Sequence, residues 1–342
     1  MAARISDKEM KLISMISRLI SLHGKADCSG ILAMIDQRVP DMIGSWAETA
    51  EKLERKGLIT QRAENSSEKL FGLTAEGRKY ADAAERNYSL VRFFYNEFFR
   101  RAEKSDAHAN FCRMVYGRNF CQHGMLDMYQ LNRMIETGGI CESSRVLELG
   151  CGNGHITEYI FDRTQCRITG IDIADKAISA ARRRTKEKSR FIDFRTMSMD
   201  KLKFAEQSFD FVLSIDSLYF VKDLEDTIMR MKRVLKPGGA MLIFYHFPPE
   251  ADTRGEDPSR ASKLGKTLDK MGLQYSTTDF TKENRRHWKT KKDVLLVLKD
   301  AFEAEGNVFL YNNRISECED NFHEFHRYLY IVSSGSGSPP PL

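Results

Sequence analysis

The stretch Arg145–Ile160, RVLELGCGNGHITEYI, constrains what this chain folds into more than any other. An apolar run ends at Leu149, glycine takes the alternate positions 150, 152 and 154, and a helical pattern begins at once. A chain that turns this sharply from a buried strand into a helix needs residues without Cβ. They supply unusual φ/ψ and leave room for a ligand against the backbone. The GxGxG spacing differs from the GxGxxG of nicotinamide-binding loops, and Glu148 stands two residues before the first glycine.

Beyond the loop the pattern alternates. CRITGIDI, RFIDFRTMS, FDFVLSID and AMLIFYHF read as strands, separated by the helices ADKAISAARRRTKEK and DLEDTIMRMKRVL. Such alternation predicts a doubly wound, mostly parallel α/β sheet. Asp172, at the end of RITGIDI, is placed to accept hydrogen bonds from both hydroxyls of a ribose. Farther on, residues 250–306 read as a helical insertion, followed by a strand NVFLYNNRI and a last strand HRYLYIV. The end, from 334 to 342, is rich in Gly, Ser and Pro and is expected to carry no fold.

Four motifs stand in order: RVLELGCGNG, RITGIDI, FRTMSMDKLKFAEQSFDFVLSIDSLYF and RVLKPGG. Together, over about Arg145–Phe247, they resemble the class I S-adenosylmethionine-dependent methyltransferases, nearest to the subgroup of ubiquinone and menaquinone biosynthesis. The resemblance implies a Rossmann-like seven-stranded sheet and S-adenosylmethionine as cofactor. It assigns Glu148, Gly150, Cys151, Gly152, Asn153 and Gly154 to the cofactor's amino-acid part, with Glu148 toward the ammonium. Asp172 falls on the ribose, Ile173 on the adenine face, Ser198, Met199 and Asp200 at the adenine edge, and Ser214 beside the sulfonium. The acidic residue common at the adenine edge falls at Ser198 here, which leaves open whether Asp200 takes its place. The plainer reading of Glu148 and Asp172 is polar strand ends, and that of Cys151 a small residue in a variable position.

Methyl transfer from a sulfonium is an in-line displacement, helped by positioning and needing a base only when the acceptor carries a proton to lose. Substrate-side candidates are His123 in FCQHGMLD, Asp216 and Tyr219 after the fourth strand, and His246 after the fifth. Trp288 and Tyr311, with Tyr219 and Tyr245, would form either an aromatic wall for a cationic amine or ordinary core. The basic cluster Arg285, Arg286, His287, Lys289, Lys291 and Lys292 reads as a solvated helix face, with an acidic substrate as the other reading.

The first ninety residues predict helices over about 7–22, 29–35 and 41–56, then a two-stranded wing and a helix capped at Thr74. LITQRAENSSEKLFGLTAEGR resembles the winged helix-turn-helix of MarR and PadR regulators. These ninety residues hold 14 Lys and Arg against 13 Asp and Glu, a net of +1, whereas a phosphate-binding face needs a positive surplus. The resemblance therefore favours dimerisation, as in similar O-methyltransferases, over DNA binding. The expected organisation is a winged-helix domain over 1–88, an aromatic-rich helical connector and active-site cap over 89–142, and a methyltransferase domain over 143–333.

Seven scattered cysteines, none spaced as CxxC, argue against a disulfide framework or a zinc site, so no metal is expected. No apolar run reaches the roughly 20 residues of a membrane span, and MAARISDKEM lacks a secretory core, so the expected location is cytoplasmic. The functional expectation is methyl transfer to a small-molecule acceptor, at nitrogen or oxygen before carbon, by a homodimer. The alternative is a DNA-binding regulator that senses the cofactor. A nucleic-acid methyltransferase is disfavoured, because the fourth-strand exit SIDSLYF contains neither NPPY nor DPPY.

Overall fold

The structure, a computed structural model, describes residues 5–23, 26–28, 46–63, 69–87, 90–249, 257–319 and 321–334. The chain divides into two compact units, Met1–Phe98 with Val308–Asn313, and Phe99–Asn307 with Arg314–Leu342.

The first unit contains α1 (Asp7–His23), α2 (Trp46–Arg55), the antiparallel pair β1 (Ile59–Ala63) and β2 (Lys69–Leu73), and α3 (Ala75–Asn87). Helix α4 (Leu90–Ala102) crosses the boundary to the second unit. A reciprocal cap starts α1: the Ser6 amide donates to Glu9 Oε2 at 2.7 Å and the Glu9 amide to Ser6 Oγ at 3.3 Å. Leu12, Ile13, Ile16, Trp46, Leu53 and Phe71 form its core. Thr74 caps α3 as expected, its Oγ1 accepting from the Gly77 amide at 2.9 Å. A Cβ on Gly77 would stand 1.9 Å from the Leu58 carbonyl oxygen, so only glycine lets the helix start this close to the hairpin. The helix expected over 29–35 lies outside the described residues, and of the one expected over 41–56 the described part is α2.

The second unit begins with α5 (Asp106–Tyr116) and α6 (Met128–Gly138). The alternating region follows: β3 (Arg145–Leu149), α7 (His155–Thr164), β4 (Arg167–Asp172), α8 (Asp175–Arg184), β5 (Ile192–Thr196), β6 (Phe209–Ile215), α9 (Leu224–Val234) and β7 (Leu235–Phe247). Then come α10 (Pro258–Ala261), α11 (Lys263–Lys270), β8 (Tyr275–Asp279), α12 (Thr281–Ala304), α13 (Val308–Glu319) and β9 (His326–Ser333). The seven-stranded sheet runs β5-β4-β3-β6-β7-β9-β8, parallel through β7, with β9 antiparallel to both its neighbours. Successive residues of a strand enter opposite cores. Val146, Ile168, Leu213 and Leu242 pack with α6, α7 and α8, whereas Leu147, Val212, Met241 and Ile243 pack with α9 and α11. Each such fully buried side chain contributes about 1.5–3 kcal/mol relative to exposure.

Two sequence expectations need correction. NVFLYNNRI lies in helix α13, not in a strand: Phe309, Leu310, Asn313 and Arg314 are buried, at the three- and four-residue spacing of one helix face. The insertion is not wholly helical either, because it supplies the edge strand β8, paired to β9 from Tyr275 opposite Val332 to Asp279 opposite Tyr328. Among the described residues no helix is long and apolar enough to cross a membrane, and no group of His, Cys, Asp and Glu is arranged to hold a metal.

Candidate active site

The strand order reverses direction between β3 and β6, and in open α/β sheets the crevice at the carboxyl ends of such strands is where ligands bind. The glycine loop leaves β3 at this point. Its Gly150 and Cys151 amides donate to the Ile171 carbonyl at 2.8 and 3.0 Å, which ties the loop to the end of β4. Gly150, Gly152 and Gly154 have φ of +71°, +56° and +73°, the left-handed region that glycine adopts without strain. The space that a Cβ would need is taken by the protein itself. Such atoms would stand 2.5 Å from Ser217 Cβ, 2.6 Å from the Phe99 ring and 2.4 Å from the Phe194 ring, at the three glycines in turn.

Asp172 Oδ2 accepts from the Gly152 amide at 2.9 Å and Oδ1 from the Ala174 amide at 2.8 Å. Burial raises its carboxyl against these bonds. Each oxygen keeps a further lone pair, the requirement for holding a ribose diol. Ile173 is half-buried beside it. Glu148 is buried and accepts from Thr157 Oγ1 at 2.5 Å. Burial pushes its carboxyl up to about 7, and the Asp172 charge adds to the effect against the Thr157 bond. A buried acid so poised fits an ammonium, whose charge would draw the proton off. Asn153 is held by Glu103, Nδ2 to Oε1 at 3.2 Å, and Cys151 is a buried thiol with its pKa pushed well up by burial, so it offers no nucleophile.

After β5, Ser198 caps a short 3₁₀ turn over Met199–Lys201, its Oγ accepting from the Asp200 amide at 3.2 Å. Asp200 Oδ2 in turn accepts from Ser198 Oγ at 3.1 Å, and Oδ1 from the Lys222 amide at 2.9 Å. After β6, the buried Ser214 and Ser217 hydroxyls lie 2.8 Å apart, and Ser217 donates to the Leu149 carbonyl at 2.9 Å. The groups assigned to the cofactor thus stand at the carboxyl ends of β3 to β6.

Three substrate-side candidates come together. Tyr219 Oη is 2.8 Å from His246 Nδ1 and also accepts from the His246 amide at 2.7 Å. His246 Nδ1 is 3.8 Å from Asp216 Oδ1. Asp216 has φ of +51°, unusual for a residue with a side chain, and its carboxylate is gripped by Arg327 at 2.6 and 3.0 Å and by the Met125 amide at 3.1 Å. Burial would raise this carboxyl, but Arg327 and His246 hold it well below the usual range. His123 is engaged differently, with Nε2 at 3.3 Å from Glu317. Sequence reasoning missed Arg327 and its second anchor Gln130, whose Oε1 accepts from Arg327 Nε at 2.7 Å. The one available signal was an arginine inside the apolar run HRYLYIV. Of the expected aromatic wall, Tyr219 and Tyr245 are neighbours at 4.7 Å, but the Trp288 face is occupied by the protein's own Lys291 ammonium, 4.0 Å from the ring centre. Tyr311 belongs to the first unit.

Comparison with known proteins bears on the fold and the family. Residues 147–243 match the family model described as a methyltransferase domain. The chain is 28% identical over 182 residues to a sterol 24-C-methyltransferase of Aspergillus fumigatus, covering 52% of this chain and 47% of that protein. It is 27% identical over 174 residues to a ubiquinone biosynthesis O-methyltransferase of Rhizobium leguminosarum, covering 45% of this chain and 69% of the relative. The chain thus spans about half the length of the sterol enzyme. Among solved structures, the [4+2]-cyclase SpnF has the same fold over 70% of this chain and 96% of its own, with a TM-score of 0.54 and 19% identity. The segment from Leu147 to Ile243 is a class I S-adenosylmethionine-dependent methyltransferase domain.

Proposed function

We propose that the chain transfers a methyl group from S-adenosylmethionine to a small-molecule acceptor, at nitrogen or oxygen in preference to carbon. The observation that carries this reading is the Asp216, Tyr219 and His246 group, a proton-accepting constellation at the ends of β6 and β7. Bound S-adenosylmethionine would supply an electrophilic methyl on a positively charged sulfur. Glu148, Asp172 and the 198–200 turn would hold its ends, and the acceptor would be positioned beside Tyr219. An O–H or N–H acceptor must lose a proton, and His246 would receive it through the Tyr219 phenol. Arg327 acts as a positioning residue that fixes Asp216, whose carboxylate stands 3.8 Å from the imidazole Nδ1. The proposed organisation is a winged-helix domain over 1–88 that dimerises or caps the site, a connector over 89–142 and a catalytic domain over 143–333.

Calorimetric titration with S-adenosylmethionine and S-adenosylhomocysteine tests the reading, with Gly152→Arg as control. Micromolar binding that this substitution abolishes is the expected result, because the new side chain would meet the Phe99 ring. Absence of binding in the parent protein would remove the enzyme reading.

A further inference from the structure

Two residues at the end of α4 hold the glycine loop, and neither is among those assigned to the cofactor. Phe99 and Glu103 are four positions apart, and the Glu103 amide still donates to the Phe99 carbonyl at 3.0 Å, so the helical turn runs on to Glu103 and both side chains share one face. The buried Phe99 ring covers Gly152, where a Cβ would stand 2.6 Å from it. The Gly152 amide donates to Asp172 at 2.9 Å. Gly152 is thus fixed on one face by α4 and through its amide by the end of β4.

Asn153, the next residue, is gripped at both ends. Its Nδ2 donates to Glu103 Oε1 at 3.2 Å, and its carbonyl accepts from Arg184 Nη2 at 2.8 Å. The two groups that grip it also face each other, with Arg184 Nη1 3.7 Å from Glu103 Oε1. Arg184 is anchored in turn by Glu158, Nε to Oε2 at 2.8 Å. His155, the first residue of α7, has Nε2 3.9 Å from Glu103. Burial and the Arg184 charge push its pKa down to about 4, so at neutral pH it brings no charge to Glu103, whereas Arg184 does.

The loop needs this support because of its composition. Glycine loses more backbone freedom on ordering than any other residue, and a loop that samples many shapes binds a ligand only from the fraction in the competent one. Holding Gly152 and Asn153 in advance raises that fraction before the ligand arrives.

We propose that Glu103 is a positioning residue for S-adenosylmethionine: with Arg184 it clasps Asn153, and with Phe99 it keeps the glycine loop in the shape that binds the cofactor. The last turn of α4, the helix that crosses the boundary between the two units, is therefore part of the cofactor site. The inference rests on the glycine loop being the place where the methyl donor of the proposed reaction binds.

Calorimetry with S-adenosylhomocysteine on the parent, Glu103→Ala and Glu103→Gln tests it. Glu103→Ala removes the oxygen that holds Asn153 and is expected to weaken binding about tenfold, as the competent fraction of the loop falls. Glu103→Gln keeps such an oxygen and is expected to return the affinity to within about threefold of the parent. Melting temperatures should stay near that of the parent, because the Glu103 side chain is 29% exposed and its loss leaves Arg184 paired with Glu158. Hydrogen exchange on the free protein reads the loop directly: the Gly152 and Gly154 amides, bonded to Asp172 and to the Cys151 carbonyl, should exchange faster in Glu103→Ala. An affinity of Glu103→Ala within about twofold of the parent, a glutamine variant no better than the alanine one, or unchanged exchange of the two amides would overturn the proposal. If S-adenosylhomocysteine does not bind the parent, the methyl-transfer reading falls separately, and the exchange of the two amides in the free protein still decides whether Glu103 holds the loop.

Discussion

Glu148 holds a carboxyl whose proton is balanced near neutral pH, because burial pushes it up to about 7. A ligand that brings an ammonium to this carboxyl favours the ionised form, so binding below pH 7 must first expel a proton. The affinity for S-adenosylhomocysteine is accordingly expected to weaken as pH falls from 7.5 to 5.5, approaching about tenfold per unit at the lower end. Calorimetry across that range checks the slope, and Glu148→Gln should flatten it. A slope that persists in the variant would assign the proton to another group. At the same scale Gly77 shows how a fixed residue type can serve packing alone: its missing Cβ makes room for the Leu58 carbonyl, far from any ligand chemistry in sequence.

The element that most shapes the substrate side is β9, which carries Arg327 into contact with Asp216 at the exit of β6. Arg327 is fully buried and the Asp216 side chain is 6% exposed, so removing the guanidinium leaves an unpaired buried charge. Arg327→Met is expected to cost about 3–5 kcal/mol in urea unfolding. Double replacement with Asp216→Asn should recover part of that loss, since no charge is then stranded. This pairing also marks the limit of what the sequence disclosed. The glycine loop, Asp172 and the alternating strands were legible because strand, turn and helix are set by neighbouring residues. The partnership of Arg327 and Asp216 joins positions 111 residues apart, and nothing local announces it. NVFLYNNRI misled for a related reason: a short apolar run fits a strand or a buried helix equally, and tertiary burial on one face decided for the helix.

For the whole molecule, the near-neutral balance of the first ninety residues predicts weak attraction to polyanions. Sedimentation at micromolar concentration is expected to find a dimer, and heparin to release the protein below about 0.2 M salt, where few phosphate contacts survive. Retention to much higher salt would support the regulator. The division of α13 has a consequence for how this protein is made. Val308–Asn313 belongs to the first unit, where Phe309 lies 5.9 Å from Phe94 and Leu310 is fully buried. A chain leaving the ribosome amino end first therefore cannot complete its earliest unit when that unit's ninety-eight leading residues have emerged. It must keep part of that core open through synthesis of the entire parallel sheet. The first unit is thus among the first to appear and among the last to close, and aggregation during translation is the hazard that this order of assembly carries.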